Sequence, residues 1–288
     1  MKKLTLTAAM SACITLGASA ALAGESRNES RLDVAADGTV NIADSTGVVN
    51  IHSASGRQVL VVSVTRSAKI EVDQTVTPDK KRVEIVVHAV AGQRPSDDEA
   101  RVDLDVAVPA GVSVTVSSAT APITVEGLSG NIISLSSDTG QIVVHNTSKA
   151  HVHVRSVTAP VTLNGILNGH VEIISAGGAV QLNRVSGPLV SVGTTNGDIT
   201  YQGDCSGGGT YTLTTYSGAI DVTLPESASV DLSARSISGS VQNDFPLKEK
   251  THVSFTPKPG SSFTGTSLSG SSSVELQSFS GRIRVKKQ

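Results

Sequence analysis

The sequence predicts an all-β protein: a parallel β-solenoid with two short strands per coil of about 19 residues, an irregular N-terminal β cap and C-terminal capping strands. Three observations predict it. The apolar pairs Ile123/Val125, Ile142/Val144, Val161/Leu163, Val180/Leu182, Ile199/Tyr201 and Ile220/Val222 begin 19, 19, 19, 19 and 21 residues apart. A second series, half a period away, runs Val112/Val114, Ile132, Val152/Val154, Val171/Ile173, Val190/Val192, Tyr211/Leu213 and Val230/Leu232, with intervals of 20, 20, 19, 19, 21 and 19. Each pair of the first series follows a turn signal, such as Ala121-Pro122, Thr139-Gly140, Ala159-Pro160 or Asn196-Gly197. Regular antiparallel hairpins also place a strand every 8–12 residues. Like residues recurring at one phase favour the stacked coil instead.

Alternation within each strand assigns the faces. Ile123 and Val125 point inward, so Thr124 points outward. Its equivalents are Val143, Thr162, Gln181, Thr200 and Asp221. Each inward residue should stack on its equivalent one coil away, at ~4.8 Å.

The elements follow in order. Lys2 and Lys3 precede an apolar, small-residue run that ends in Ala21-Leu22-Ala23. That is a signal-peptide pattern over residues 1–23, with the mature chain starting at Gly24. Residues 24–101 form the N-terminal β region; strand-like runs at 39–42, 48–52, 59–64, 70–74 and 83–88 lack the beat. A polar loop at 91–99 follows. Leu104/Val106 lies 19 residues before Ile123/Val125, so the repeats are taken as 102–243. Val241 continues the first series 21 residues after Ile220. Residues 244–288 hold the capping strands, with Val274/Leu276 and Ile283/Val285 last.

Composition excludes several classes. Ser (40), Thr (27) and Gly (27) make up about a third of the 288 residues, and no Trp is present. Only seven aromatic rings occur, Tyr201, Tyr211, Tyr216, Phe245, Phe255, Phe263 and Phe279, so no ring platform for bases or sugars can lie before residue 200. The interior must be narrow and filled by Val, Ile, Leu and Ala. Residues 1–23 carry two Lys and no acid, so their loss moves the net charge from −2 to −4. That balance gives no case for a nucleic-acid partner or an anionic lipid surface. After residue 23 no segment approaches the ~20 apolar residues of a transmembrane helix. Cys205 is then the one cysteine left, in the turn-like Gly203-Asp204-Cys205-Ser206-Gly207, and reads as a small residue at a turn.

The units Leu128-Ser129-Gly130-Asn131-Ile132, Thr139-Gly140-Gln141-Ile142, Asn196-Gly197-Asp198-Ile199, Tyr216-Ser217-Gly218-Ala219-Ile220, Ile237-Ser238-Gly239-Ser240-Val241 and Phe279-Ser280-Gly281-Arg282-Ile283 resemble the Ser-Gly-Asp-Ile/Val repeats of the bacterial DUF4097 family. The ending Ser280-Gly281-Arg282-Ile283-Arg284-Val285 is also similar. The resemblance covers roughly residues 30–287. It implies an envelope or secreted β-solenoid of adhesin type, a label that rests on fold and transfers no catalytic residue. The Asp of the repeat survives here only at Asp198.

Catalytic patterns are sparse. Glycoside hydrolysis needs two closely placed carboxylates. The acids of the repeats, Glu126, Asp138, Glu172, Asp198, Asp204, Asp221 and Asp231, are scattered. No Gly-x-Ser-x-Gly elbow and no Gly-Gly-x-Gly-x-Asp calcium repeat occurs. One constellation is specific. His151-Val152-His153 places two imidazoles outward on one strand, ~6.6 Å apart. His170-Val171-Glu172 takes the same phase one coil later. His151, His153, His170 and Glu172 therefore form a candidate metal patch of borderline ligands.

These readings converge on an exported, non-enzymatic, adhesin-like protein without a cofactor. It would be periplasmic or secreted after cleavage near Ala23/Gly24. Its polar face would bind a cell-envelope polymer, a surface or a protein partner. The alternatives are a carbohydrate-active enzyme on a β-helix scaffold, with a groove near 91–101 or 244–262, and a structural or assembly module of the envelope.

Overall fold

The computed structural model describes residues 25–288 apart from 131, 207 and 251–257. The signal-peptide expectation and Phe255 lie outside the described residues. Among the described residues, twenty-five strands are present. They begin with β1 (Ser26–Asp33), β2 (Thr39–Asp44), β3 (Gly47–Ala54), β4 (Gln58–Thr65), β5 (Ile70–Val76), β6 (Arg82–Ala89) and β7 (Val102–Pro109). Next come β8 (Ser113–Ser118), β9 (Ile123–Glu126), β10 (Ile132–Ser137), β11 (Ile142–Ser148), β12 (His151–Ser156) and β13 (Val161–Leu167). Then follow β14 (His170–Ser175), β15 (Val180–Val185), β16 (Leu189–Thr194), β17 (Ile199–Gln202), β18 (Thr210–Thr215) and β19 (Ile220–Leu224). The last are β20 (Val230–Ser236), β21 (Val241–Asn243), β22 (Lys248–Glu249), β23 (Ser262–Thr266), β24 (Ser272–Ser278) and β25 (Ile283–Lys287).

They form two long, mostly parallel sheets. One has the order β1-β4-β7-β3-β9-β11-β13-β15-β17-β19-β25-β21. The other has the order β22-β23-β20-β24-β18-β16-β14-β12-β10-β8-β2-β6-β5. The chain passes from one sheet to the other and back in each coil, as the 19-residue beat requires. In the first sheet Ile123, Ile142, Val161, Val180, Ile199 and Ile220 stack in register. Every one of them is 0 % exposed. The outward column Thr124, Val143, Thr162, Gln181, Thr200 and Asp221 also pairs as expected. Among the described residues three rings are buried in the interior, Tyr201, Tyr211 and Phe245. Tyr201 and Tyr211 are each 1 % exposed and meet edge-on at 5.8 Å. Their hydroxyls reach carbonyls, Tyr201 donating to Val185 O (2.9 Å) and Tyr211 to Ser206 O (2.9 Å), so neither polar tip is orphaned.

The second sheet corrects the expected register at two places. Ile132 was expected inward, but Ile133 pairs with Val114 and Val152, and Ile132 is 52 % exposed. A slip of one residue reverses every side chain; with two adjacent isoleucines, hydrophobicity alone could not choose. The second series is in truth Val114, Ile133, Val152, Val171, Val190 and Tyr211. The expected step from Tyr211 to Val230 does not exist: Tyr211 pairs with Val274, and Val274 with Leu232.

That second correction reflects the order of coils at both ends. The C-terminal coil β24/β25 sits between β18/β19 and β20/β21. Val241 therefore stacks on Ile283, not on Ile220. The last strands of the chain are inside the stack, and the outer C-terminal flank is built from β20 with the antiparallel β23 and β22. The N-terminal side mirrors this. Coil β2/β3 lies between β6/β7 and β8/β9, so Leu104 stacks on Val49 and Val49 on Ile123. The runs at 39–42 and 48–52, expected to lie outside the repeat, are one of its coils. Antiparallel β4 and β1 extend one sheet and β5 the other, forming the N-terminal cap.

One turn recurs along an edge of the stack. In nine consecutive strands of the second sheet, from β2 to β20, the last inward residue is a buried hydroxyl or acid: Asp44, Ser118, Ser137, Ser156, Ser175, Thr194, Thr215, Ser278 and Ser236, in spatial order. The hydroxyl closes the turn on the residue three positions on. Ser175 donates to Gly178 O (3.1 Å), Thr194 donates to Gly197 O (2.7 Å), and Ser278 accepts from Gly281 N (2.8 Å). These contacts satisfy backbone groups that the corner would otherwise bury unpaired. The third-on residue must be small. A β-carbon on Gly178 would lie 1.9 Å from Ala159 O, and one on Gly281 1.8 Å from Gly218 O. Five of the six quoted family units are this turn; Leu128–Ile132 falls at the opposite edge.

Candidate functional site

The opposite edge is irregular for a local reason. Gly127, Asn146, Gly165 and Arg184 hold positive φ (73°, 52°, 71° and 53°) in successive coils. Arg184 is an unusual occupant of this conformation; its Nη2 donates to Asn164 Oδ1 at 3.0 Å. The bend opens a groove of about 700 Å³ past Asn164, Asn183, Gln202, Arg184, Asp204 and Leu167. Asn164, Asn183 and Gln202 are in register. They offer an amide, both donor and acceptor, once per coil.

The predicted histidine patch is assembled as expected. His151 pairs with His170 and His153 with Glu172 across β12 and β14. The rings of His151 and His170 stack at 5.2 Å and 11°. Glu172 lies between the other two, Oε2 3.1 Å from His153 Nδ1 and Oε1 3.2 Å from His170 Nε2. The bond with His170, and secondarily that with His153, holds its carboxyl below the usual carboxylate range. The carboxylate bridges the two imidazoles rather than joining them at one point.

A tighter set of donors was not anticipated. Glu71, Asp73 and His88 bring ligand atoms within 4.8 Å of one another, the group of this kind among the described residues. It arises where β5 and β6 pair antiparallel, with Glu71 opposite His88. His88 Nδ1 meets its neighbour's carbonyl, Ala89 O (3.0 Å), and Nε2 meets Asp73 Oδ2 (2.9 Å). Those two contacts, the carbonyl first, raise its pKa. The signal was an Asp and a His on alternating runs; their pairing waited on the hairpin.

Other carboxylates are engaged in structure. Asp198 Oδ1 accepts from Ala219 N (2.7 Å), and Asp221 pairs with Arg282 (3.0 Å). In the 91–101 loop, Asp98 pairs with Arg66 (3.2 Å) and Glu99 with Lys69 (2.8 Å), a hydrogen bond that draws Glu99 down to about 2. Cys205 is 2 % exposed, and burial pushes its thiol up to about 12, so it is an inert packing residue. Asp44 differs from its hydroxyl equivalents. It is 3 % exposed, its Oδ2 has no partner, and burial raises its pKa to about 7, with Asp103 adding to the effect.

The sequence profile of the Toastrack DUF4097 family matches residues 5–286. The chain belongs to the Toastrack family. Two solved structures align with this Toastrack chain. A "putative cell adhesion protein" from Clostridium sporogenes ATCC 15579 covers 92 % of this chain and 100 % of its own, at 13 % identity and a TM-score of 0.34. A "putative adhesin" from Bacteroides fragilis NCTC 9343 covers 91 % of this chain and 97 % of its own, at 10 % identity and a TM-score of 0.46. No curated protein matches the chain. No helix among the described residues is long and apolar enough to cross a membrane.

Proposed function

We propose that this Toastrack protein is an exported, non-enzymatic, adhesin-like module that holds a cell-envelope or surface component against its polar faces and edge groove. One observation carries the reading: polar side chains recur in register from coil to coil, on the Asn164–Asn183–Gln202 ladder and on the Thr124–Asp221 column, in which Val143 is the one apolar member. A rigid array of evenly spaced donors and acceptors suits a repeating ligand, and many weak contacts add through effective concentration. Residues 1–23 act as the export signal, and the protein works in the periplasm or outside the cell. Residues 24–101, 102–243 and 244–288 act as one domain, because strands of the first and last pair within the stack of the second. His151, His153, His170 and Glu172 act as a divalent-metal patch on the outer face of the second sheet, the face opposite the Thr124–Asp221 column.

Binding of purified protein to isolated envelope fractions is the direct test, together with N-terminal sequencing of the exported form. Envelope binding and a mature chain starting at Gly24 are expected. No envelope binding would overturn the reading. Release of reducing ends from polysaccharides would instead establish the enzyme alternative.

A further inference from the structure

The outer edge of the Ser/Thr turn carries a feature that its repeat does not require. Tyr216, Phe279 and Ile237 each follow the buried hydroxyl of their coil, in three coils that are neighbours in space. They are 55 %, 42 % and 61 % exposed. The rings of Tyr216 and Phe279 are coplanar within 2° and 4.8 Å apart. That separation is the coil spacing, so the rings stack along the solenoid axis. Tyr201, Tyr211 and Phe245 are 1 %, 1 % and 3 % exposed. Among the described residues the two exposed rings are Tyr216 and Phe279, and they stand side by side.

The same turn position in the two preceding coils holds Thr195 and Ala176, joined to the ladder by Tyr216 N to Thr195 O (3.2 Å) and Thr195 N to Ser175 O (3.2 Å). Phe279 covers one face of the Tyr216 ring. On the other side the next coil presents the smaller Thr195, and Tyr216 remains 55 % exposed. Beside the rings, the outward column offers Thr214, Gln277 and Arg235 around a cavity of about 360 Å³. One coil further, Gly193 leaves open space where a side chain would stand.

We infer that this edge is a saccharide-binding site: the open face of Tyr216, backed by Phe279, stacks on a pyranose ring, and the Thr214–Gln277–Arg235 column hydrogen-bonds its hydroxyls. A pyranose has a flat face of C–H groups and a rim of hydroxyls. It matches a ring face flanked by hydroxyl, amide and guanidinium groups, as an aliphatic peptide side chain does not. This inference rests on the proposed function and names the class of its ligand.

The test is co-sedimentation with chitin, cellulose and purified peptidoglycan sacculi. The variant is Tyr216→Thr with Phe279→Ala, residue types that the same ladder already carries. Tyr216→Phe keeps the ring. The wild type and Tyr216→Phe should sediment with at least one glycan, and the double variant should bind it about tenfold more weakly. Equal binding by wild type and double variant overturns the site, as does wild-type binding to none of the three. If the protein still binds isolated envelopes in that case, the saccharide site fails and the proposed function stands; loss of that binding after protease treatment would assign a protein partner. No binding to envelopes at all would overturn both.

Discussion

At the scale of single residues, one β-carbon decides whether adjacent coils can close. Gly281→Ala would put a methyl 1.8 Å from Gly218 O, a backbone atom that cannot yield without opening the pair. We expect a loss of about 2–4 kcal/mol in urea unfolding. Gly193→Ala meets nothing within 4 Å and should change stability by about 0.5 kcal/mol or less. Asp44 supplies a pH signature. Its folded pKa, about 7, lies above that of an unfolded aspartate, ~3.9. The folded state therefore holds the proton more tightly. Its contribution is fully present below about pH 4 and is lost as pH rises through about 7, by up to about 4 kcal/mol. Asp44→Asn should remove that slope from a series of urea midpoints between pH 4 and 7. For the histidine patch, zinc titration followed by histidine NMR should shift the rings of His153 and His170 at stoichiometric metal; unshifted rings would end the metal assignment.

At the scale of elements, the two intercalated coils matter most. In a simple stack the last coil peels away without disturbing its neighbours. Here β24 and β25 hold β18/β19 and β20/β21 together. Ending the chain after Ser271 should unpair both faces and destroy the cooperative transition, seen as loss of strand signal in circular dichroism and cleavage across 230–250. Deleting Ser26–Asp33 removes only the edge strand β1 and should leave a cooperative transition near the wild-type midpoint. Two equally affected or two unaffected proteins would contradict this account. The strands themselves were largely legible, because inward Val, Ile and Leu alternate with outward Thr, Ser and Gln. Their neighbours were not. Val230 and Val274 are equally good partners for Tyr211 by hydrophobicity, and Ile132 and Ile133 equally good inward residues. The Glu71–Asp73–His88 cluster was hidden for the same reason: its members meet across an antiparallel hairpin in a stretch without the repeat.

At the scale of the molecule, the two sheets make a long, thin body with two outer faces and two unlike edges. One edge bends through left-handed residues and holds the amide groove; the other turns on buried hydroxyls and carries the exposed rings. A ligand in the groove and one on the rings would lie on opposite edges and bind independently. Combining a groove variant (Asn164→Ala with Asn183→Ala) with Tyr216→Thr/Phe279→Ala should therefore give additive losses in envelope binding, within about 0.5 kcal/mol. The amino-acid sequence alone determined the coil: its 19-residue length, its two strands, its inward Val and Ile, and the scarcity of rings that a narrow interior imposes. These are nearest-neighbour properties, repeated in each unit. The order of coils at the ends was decided only by the tertiary structure. Parallel ladders use the same backbone hydrogen bonds between any two Val-rich strands. Only closure of the whole stack, with coils β2/β3 and β24/β25 threaded inside it, selects which strands meet and so brings Tyr216 against Phe279.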